Sequence, residues 1–138
     1  MQRFEEGIIK LLYMTAASNG ELHPNEMDSI KQKLVTYPWL RTITSKRREK
    51  ILSELMENNY NKKPESELLA EINNVIPDEL KATAYALALE ICAKDDVIDK
   101  LELAFMKKVA KLFNIDNETV EALKKSVDIR YFAKPPKD

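Results

Sequence analysis

Apolar residues return at helical spacing from the first turn of the chain. Phe4, Ile8, Leu11, Leu12 and Thr15 follow the i, i+3, i+4, i+7 rule of an amphipathic helix, which Asn19-Gly20 would close. Pro24 suits the first turn of a second helix, whose stripe is Met27, Ile30 and Leu34. The stretch YPWL, Tyr37 to Leu40, breaks it, because a residue before proline avoids helical geometry. A third helix is expected from about Ser45 to Glu57, with Ile51, Leu52 and Leu55 inward. After the polar run NNYNKKP comes a short helix from about Pro64 to Val75. Pro77-Asp78 then restarts the chain, with Asp78 as the expected N-cap. The helix that follows, ELKATAYALALEICA, is apolar nearly all round and is therefore predicted to be central and buried. Two more are expected, from Asp99 to about Leu112 and from about Asn117 to Val127. The ending RYFAKPPKD is expected to fray. No segment alternates apolar and polar over a strand length, so the predicted class is all-α, about seven helices in one domain.

The pattern repeats. A shift of 76 residues places Ala17-Ser18-Asn19-Gly20 on Ala93-Lys94-Asp95-Asp96, Leu22 on Ile98, His23 on Asp99 and Glu26 on Glu102. The same shift sets Leu11 on Leu87, Met27 on Leu103, Ile30 on Met106, Lys31 on Lys107 and Tyr37 on Phe113. Two similar three-helix units are implied, repeat 1 over about 4–57 and repeat 2 over about 78–127. A linker and short helix at about 58–77 join them, and a flexible tail at 128–138 follows.

The stretches AASNGELHPNEMDSI and CAKDDVIDKLELAFM share the order small-x-D/N-G/D-x-[IL]-x-x-x-E ahead of an apolar helix. In this the chain resembles the TerB-like (tellurite-resistance B) family, whose single all-helical domain carries the motif twice. The resemblance covers roughly Glu5 to Val127. It implies a non-enzymatic, stress-associated module with an acidic face that holds a divalent cation and recruits protein partners, some of them membrane-associated. Carried over by position, the matching residues are Asn19, Gly20 and Glu26, then Asp95, Asp96 and Glu102. The chain departs from the motif at Asn19, where a charge is lost, and at Asp96, where glycine is usual.

Composition narrows the chemistry. Hydrophobic residues make up 44% and charged residues 33%, enough for one core under a solvated surface. With 22 basic and 23 acidic residues the net charge is -1, so no global field draws the chain to nucleic acid or an anionic membrane. One cysteine, Cys92, rules out an internal disulfide framework, and a cytoplasmic setting is expected. The start MQRFEEGIIKLL lacks the pattern of a signal peptide, and no apolar run reaches the roughly 20 residues that span a bilayer. Two glycines exclude a glycine-rich phosphate loop, and a single histidine, His23, excludes a three-histidine zinc site.

The acidic junction AKDDVIDKLE has two readings. Asp95, Asp96, Asp99 and Glu102, with Asn19, Glu21 and Glu26 from the first repeat, supply the oxygen ligands that calcium or magnesium prefers. Alternatively, Asp99-Lys100-Leu101-Glu102 is a capping box, Asp99 accepting from the N3 amide and Glu102 returning to the N-cap amide. Both can hold, because Asp95 and Asp96 lie outside the box. Glu90, an acid on an otherwise apolar helix, must reach water or find a partner. Tyr37, Trp39 and Phe113 are expected to plug the units, and an exposed Trp39 would serve a partner. The run SKRREK concentrates basic charge at Lys46, Arg47 and Arg48, either a solvated helix face or a contact for nucleic acid, an acidic partner or lipid headgroups. A metal-independent helical adaptor is the alternative function, and it expects an exposed apolar patch near Trp39 or the last helix. Metal-assisted hydrolysis has no motif that joins a nucleophile, a base and an orienting partner.

Overall fold

The computed structural model describes residues 4–18, 27–28, 30–32, 36, 40, 43–57, 64–93, 100–132 and 136. Its helices are α1 (Phe4–Ala16), α2 (Ser45–Glu57), α3 (Glu65–Val75), α4 (Asp78–Cys92), α5 (Lys100–Leu112) and α6 (Asn117–Val127). A wider π-helical turn, Asp128–Phe132, continues α6. Residues 27, 28, 30–32 and 36 are also helical, and no strand occurs among the described residues. The all-α class is as the periodicity predicts.

Two helices form the centre. α4 buries Ala84, Tyr85, Leu87, Ala88, Leu89, Ile91 and Cys92, as its all-round apolar sequence requires. α1 is the other, and here the structure corrects the amphipathic reading. From Gly7 to Ala16 every residue except Lys10 is buried, because α2, α3, α4 and α5 all pack against it. Side chains from all six helices join one buried cluster, running from Ile8 to Val127. Phe113 is buried, as a plug would be, and Cys92 is a free thiol in the core.

Gly7 sets the closest approach of two helices. A Cβ built there would stand 2.6 Å from Val75 Cγ2 and 3.3 Å from Ile76 Cγ1. Only a residue without a side chain lets the end of α3 sit this close to α1.

The helix starts follow local chemistry. Thr44 precedes α2, its Oγ1 accepting from the Arg47 N–H at 3.2 Å. Asp116 caps α6, accepting from the Thr119 N–H at 2.9 Å. Asp78 does not cap α4. Pro77 holds that position without a side-chain bond, and Asp78 lies in the first turn, paired with Lys81 at 2.9 Å. An acid inside the first turn still meets the positive end of the helix dipole.

α5 ends in a Schellman turn. Asn114 takes φ 55, its N–H donates to Lys111 O at 3.2 Å, and the Ile115 N–H donates to Ala110 O at 3.0 Å. This turn leads straight into Asp116, so α5 and α6 meet at a tight, fully bonded corner.

The chain beyond Val127 differs from the frayed end expected of it. Arg130 donates from Nη1 to Glu90 Oε1 at 2.7 Å and from Nε to Ser126 Oγ at 3.2 Å. Its guanidinium also lies 5.3 Å from the Tyr131 ring centroid. The Glu90 contact ties the π-helical turn to α4, and the Ser126 contact ties it to α6. Residues 133–135, 137 and 138 of the expected tail lie outside the described residues.

Positions paired by the 76-residue shift share their environments in part. Leu40 is buried where Asp116 is exposed, Leu52 is buried where Asp128 is exposed, and Ala17 is half-buried where Ala93 is buried, while other pairs agree. Leu11 and Leu87 are buried, as are Ile30 and Met106; Met27 and Leu103 are half-buried; Lys31 and Lys107 are exposed. The junctions that define the repeat, 19–26 and 94–99, lie outside the described residues.

Candidate site: a lysine-rimmed groove

Of the acids nominated as cation ligands, Glu102 alone is among the described residues. It is 2% exposed and stands in the first turn of α5, facing the protein rather than solvent. Asn19, Glu21, Glu26, Asp95, Asp96 and Asp99 lie outside the described residues, as do His23 and Trp39. No cluster of three or more metal-ligating side chains occurs among the described residues.

The basic run of α2 is partly committed to the fold. Arg47 is paired with Glu6 of α1, and Arg48 Nη2 donates to Ser45 Oγ at 3.0 Å. Lys46 stands exposed. The cluster read from sequence as one basic patch therefore divides into a helix-to-helix tie, an intrahelical contact and one solvated lysine.

A concave described surface lies elsewhere, between α5 and α6 and over the side of α4. It is a half-open groove of about 340 Å³, within the size range of ligand-binding clefts. Leu103, Met106 and Ala110 form one apolar wall, Val120 the other, and Tyr85 closes the base. Lys107 and Lys111 stand on the α5 rim, one helical turn apart. Lys124 rises from α6 with Glu121 beside it, and Ile115 and Asn117 close the corner end. The corner is rigid, since the Schellman turn at Asn114 and the Asp116 cap occupy it.

The rim lysines share with Lys10, Lys46, Lys50, Lys100 and Lys125 the lack of an ion pair among the described residues, whereas three other lysines are committed to the fold. Lys31 pairs with Glu49 at 3.6 Å, Lys81 with Asp78 at 2.9 Å, and Lys108 with Glu65 at 3.0 Å. Lys107, Lys111 and Lys124 form no ion pair among the described residues. Three cations thus face a groove that contains one acid. Burial pushes the Tyr85 phenol above its ordinary value of 10.0, with Cys92 and Glu121 adding to the shift, so the base of the groove stays neutral at physiological pH.

By helical spacing Leu103, Met106, Val109 and Ala110 share one stripe of α5. The structure divides that stripe: Met106 and Val109 are buried in the core, while Leu103 and Ala110 are half-buried along the groove. The groove was not anticipated. The available signal was the width of the stripe together with Lys107 and Lys111 at i, i+4 beside it.

Apolar exposure also occurs just past the last helix, where Ile129 is 63% exposed and Tyr131 43%. These side chains lie outside the groove lining. Among the described residues no helix is long and apolar enough to cross a membrane.

Comparison with known proteins finds no matching family model, no matching curated protein and no matching solved structure.

Proposed function

We propose that the chain is a non-enzymatic helical recruitment module of the TerB-like kind, which engages a protein partner through the groove between α5 and α6. The groove itself carries this reading: a half-open, apolar-floored cleft of about 340 Å³ whose rim lysines are not neutralised by the described surface. Apolar floors with polar rims are the usual anatomy of protein-binding surfaces. The motif resemblance supports descent from a duplicated helical unit. In this reading the module works in the cytoplasm, in a stress-response setting, and some of its partners are membrane-associated.

The test is site-specific photo-crosslinking in cells. A photoreactive residue replacing Lys111 should give a discrete adduct with another protein, while one replacing Lys46 on α2 should not. Adducts from Lys46 alone would overturn the groove as the recruiting face and reinstate the basic run of α2.

A second reading concerns the acidic junction and rests on the burial of Glu102 at the start of α5. A carboxylate so nearly excluded from water is held there by hydrogen bonds or by a cation. Thermal melts with added calcium or magnesium and with EDTA separate the two, because a cation bound to the native state raises Tm. A Tm unchanged by either treatment leaves Glu102 as a capping residue only.

A further inference from the structure

Building on the recruiting role of the groove, we infer the chemistry of the segment that enters it: a short, acidic, amphipathic helix of the partner protein. Three observations favour this occupant. The first is length. The walls run from Leu103 to Lys111 on α5, which at a rise of about 1.5 Å per residue gives a trough of about 12 Å, or roughly two helical turns. The second is the floor. Half-buried Leu103 and Ala110, backed by the buried Met106, offer an apolar strip of the kind that accepts anchors at i, i+3 and i+4 of a helix laid in a groove. The third is charge. Lys107 and Lys111 sit on one wall and Lys124 on the other, with Glu121 as the only acid among the lining residues.

The spread of cations separates this occupant from others. A long-chain carboxylate carries one charge at one end, and it would leave at least two of the three lysines unmatched. A nucleic-acid strand calls for aromatic platforms on which bases stack. The one aromatic here, Tyr85, is 1% exposed and lies at the base. A helix with acids flanking its apolar stripe places a carboxylate toward each wall and a Leu-sized anchor toward the floor.

The experiment uses the full chain and three fluorescein-labelled peptides of about three turns. They share one leucine face and differ only in the polar face, which is glutamate, glutamine or lysine. Binding is followed by fluorescence anisotropy, and its location by the methyl signal of Met106. The glutamate peptide should bind at least tenfold more tightly than the lysine peptide and should shift the Met106 methyl. In the triple variant Lys107→Glu, Lys111→Glu, Lys124→Glu the preference should reverse. The milder triple change of the same lysines to Gln, checked for an unaltered Tm, should abolish the preference without reversing it. Equal binding of the three peptides with a shifted Met106 methyl would overturn the acidic assignment and leave the groove as a recruiting face. An unmoved Met106 methyl with all three peptides would overturn the helical occupant, while the Lys111 adduct independently decides the recruiting role. Displacement of the glutamate peptide by equimolar laurate or by a single-stranded oligonucleotide would also overturn it.

Discussion

Arg130 reaches back 40 positions along the chain to place Nη1 2.7 Å from Glu90 Oε1. The side chain of Glu90 is 12% exposed and sits on α4, one of the two central helices. The acid that the helix pattern left unexplained thus has a guanidinium partner, supplied by the segment expected to fray. A nearly buried carboxylate and a terminal turn with little core of its own hold each other in place.

Replacing Arg130 with Met should therefore destabilise the chain by about 1 kcal/mol. A charge-assisted hydrogen bond contributes about 1.5–3 kcal/mol net, and solvent around the half-exposed arginine reduces that. Combining Arg130→Met with Glu90→Gln should cost less than the two changes separately. Urea unfolding of the four chains measures the coupling. Additivity within about 0.3 kcal/mol would show that the pair is incidental.

Gly7→Ala sets two effects in opposition. Alanine is favoured over glycine inside a helix by about 1 kcal/mol, but its methyl would stand 2.6 Å from Val75 Cγ2. Overpacking of that kind costs about 1–3 kcal/mol, so the expected net change is a destabilisation of about 1 kcal/mol. Val75→Ala introduced beside it removes the clash, and the double variant should be more stable than the sum of the single effects. A rise in the unfolding midpoint for Gly7→Ala alone would mean that α1 and α3 separate at little cost.

How far the sequence foretold this molecule differs from element to element. The bounds of α2 and α6 are legible in their one-sided apolar faces, and the structure adds the caps Thr44 and Asp116 at their starts. The depth of α1 was underestimated because the eye follows one stripe, although Lys10 alone interrupts the buried run from Gly7 to Ala16. Glu90 could be recognised as needing a partner, but periodicity cannot name a partner 40 positions away. The groove was hidden for a related reason. Leu103 and Ala110 read as core in the frame of their own helix, and only the placement of α6 beside α5 leaves them half-buried along a groove. Glu102 stood out as an acid at a helix start, yet its burial depends on neighbours that spacing does not reveal.

Asn114 holds the corner of the groove at φ 55, a conformation that asparagine tolerates and β-branched residues resist. Asn114→Val should destabilise by about 1–2 kcal/mol, while Asn114→Gly should be neutral or mildly stabilising. Because Ile115 lines the groove from this turn, the valine variant should also shift the Met106 and Ile115 methyl signals. Valine tolerated without loss of Tm would show that the corner adopts another turn in solution.

Asp116 makes the start of α6 sensitive to acid. Its hydrogen bonds with Thr119, through the side chain first and the backbone N–H second, hold the carboxyl below its ordinary value of 3.8. In the unfolded chain no such bonds exist, so the unfolded carboxyl takes up a proton first as pH falls. The stabilising contribution is accordingly complete above the ordinary value and is lost as pH drops through the depressed one. Asp116→Asn keeps an N-cap acceptor without a titrating charge. Between about pH 6 and about pH 3 the unfolding midpoint of the native chain should therefore fall more steeply than that of the asparagine variant. The difference between the two curves isolates this carboxylate, since every other acid is common to both chains. Thr119→Val should move the Asp116 carboxyl back toward its ordinary value in a carbon-detected NMR titration. Parallel stability curves for the native chain and Asp116→Asn would show that the cap works through its dipole rather than its charge.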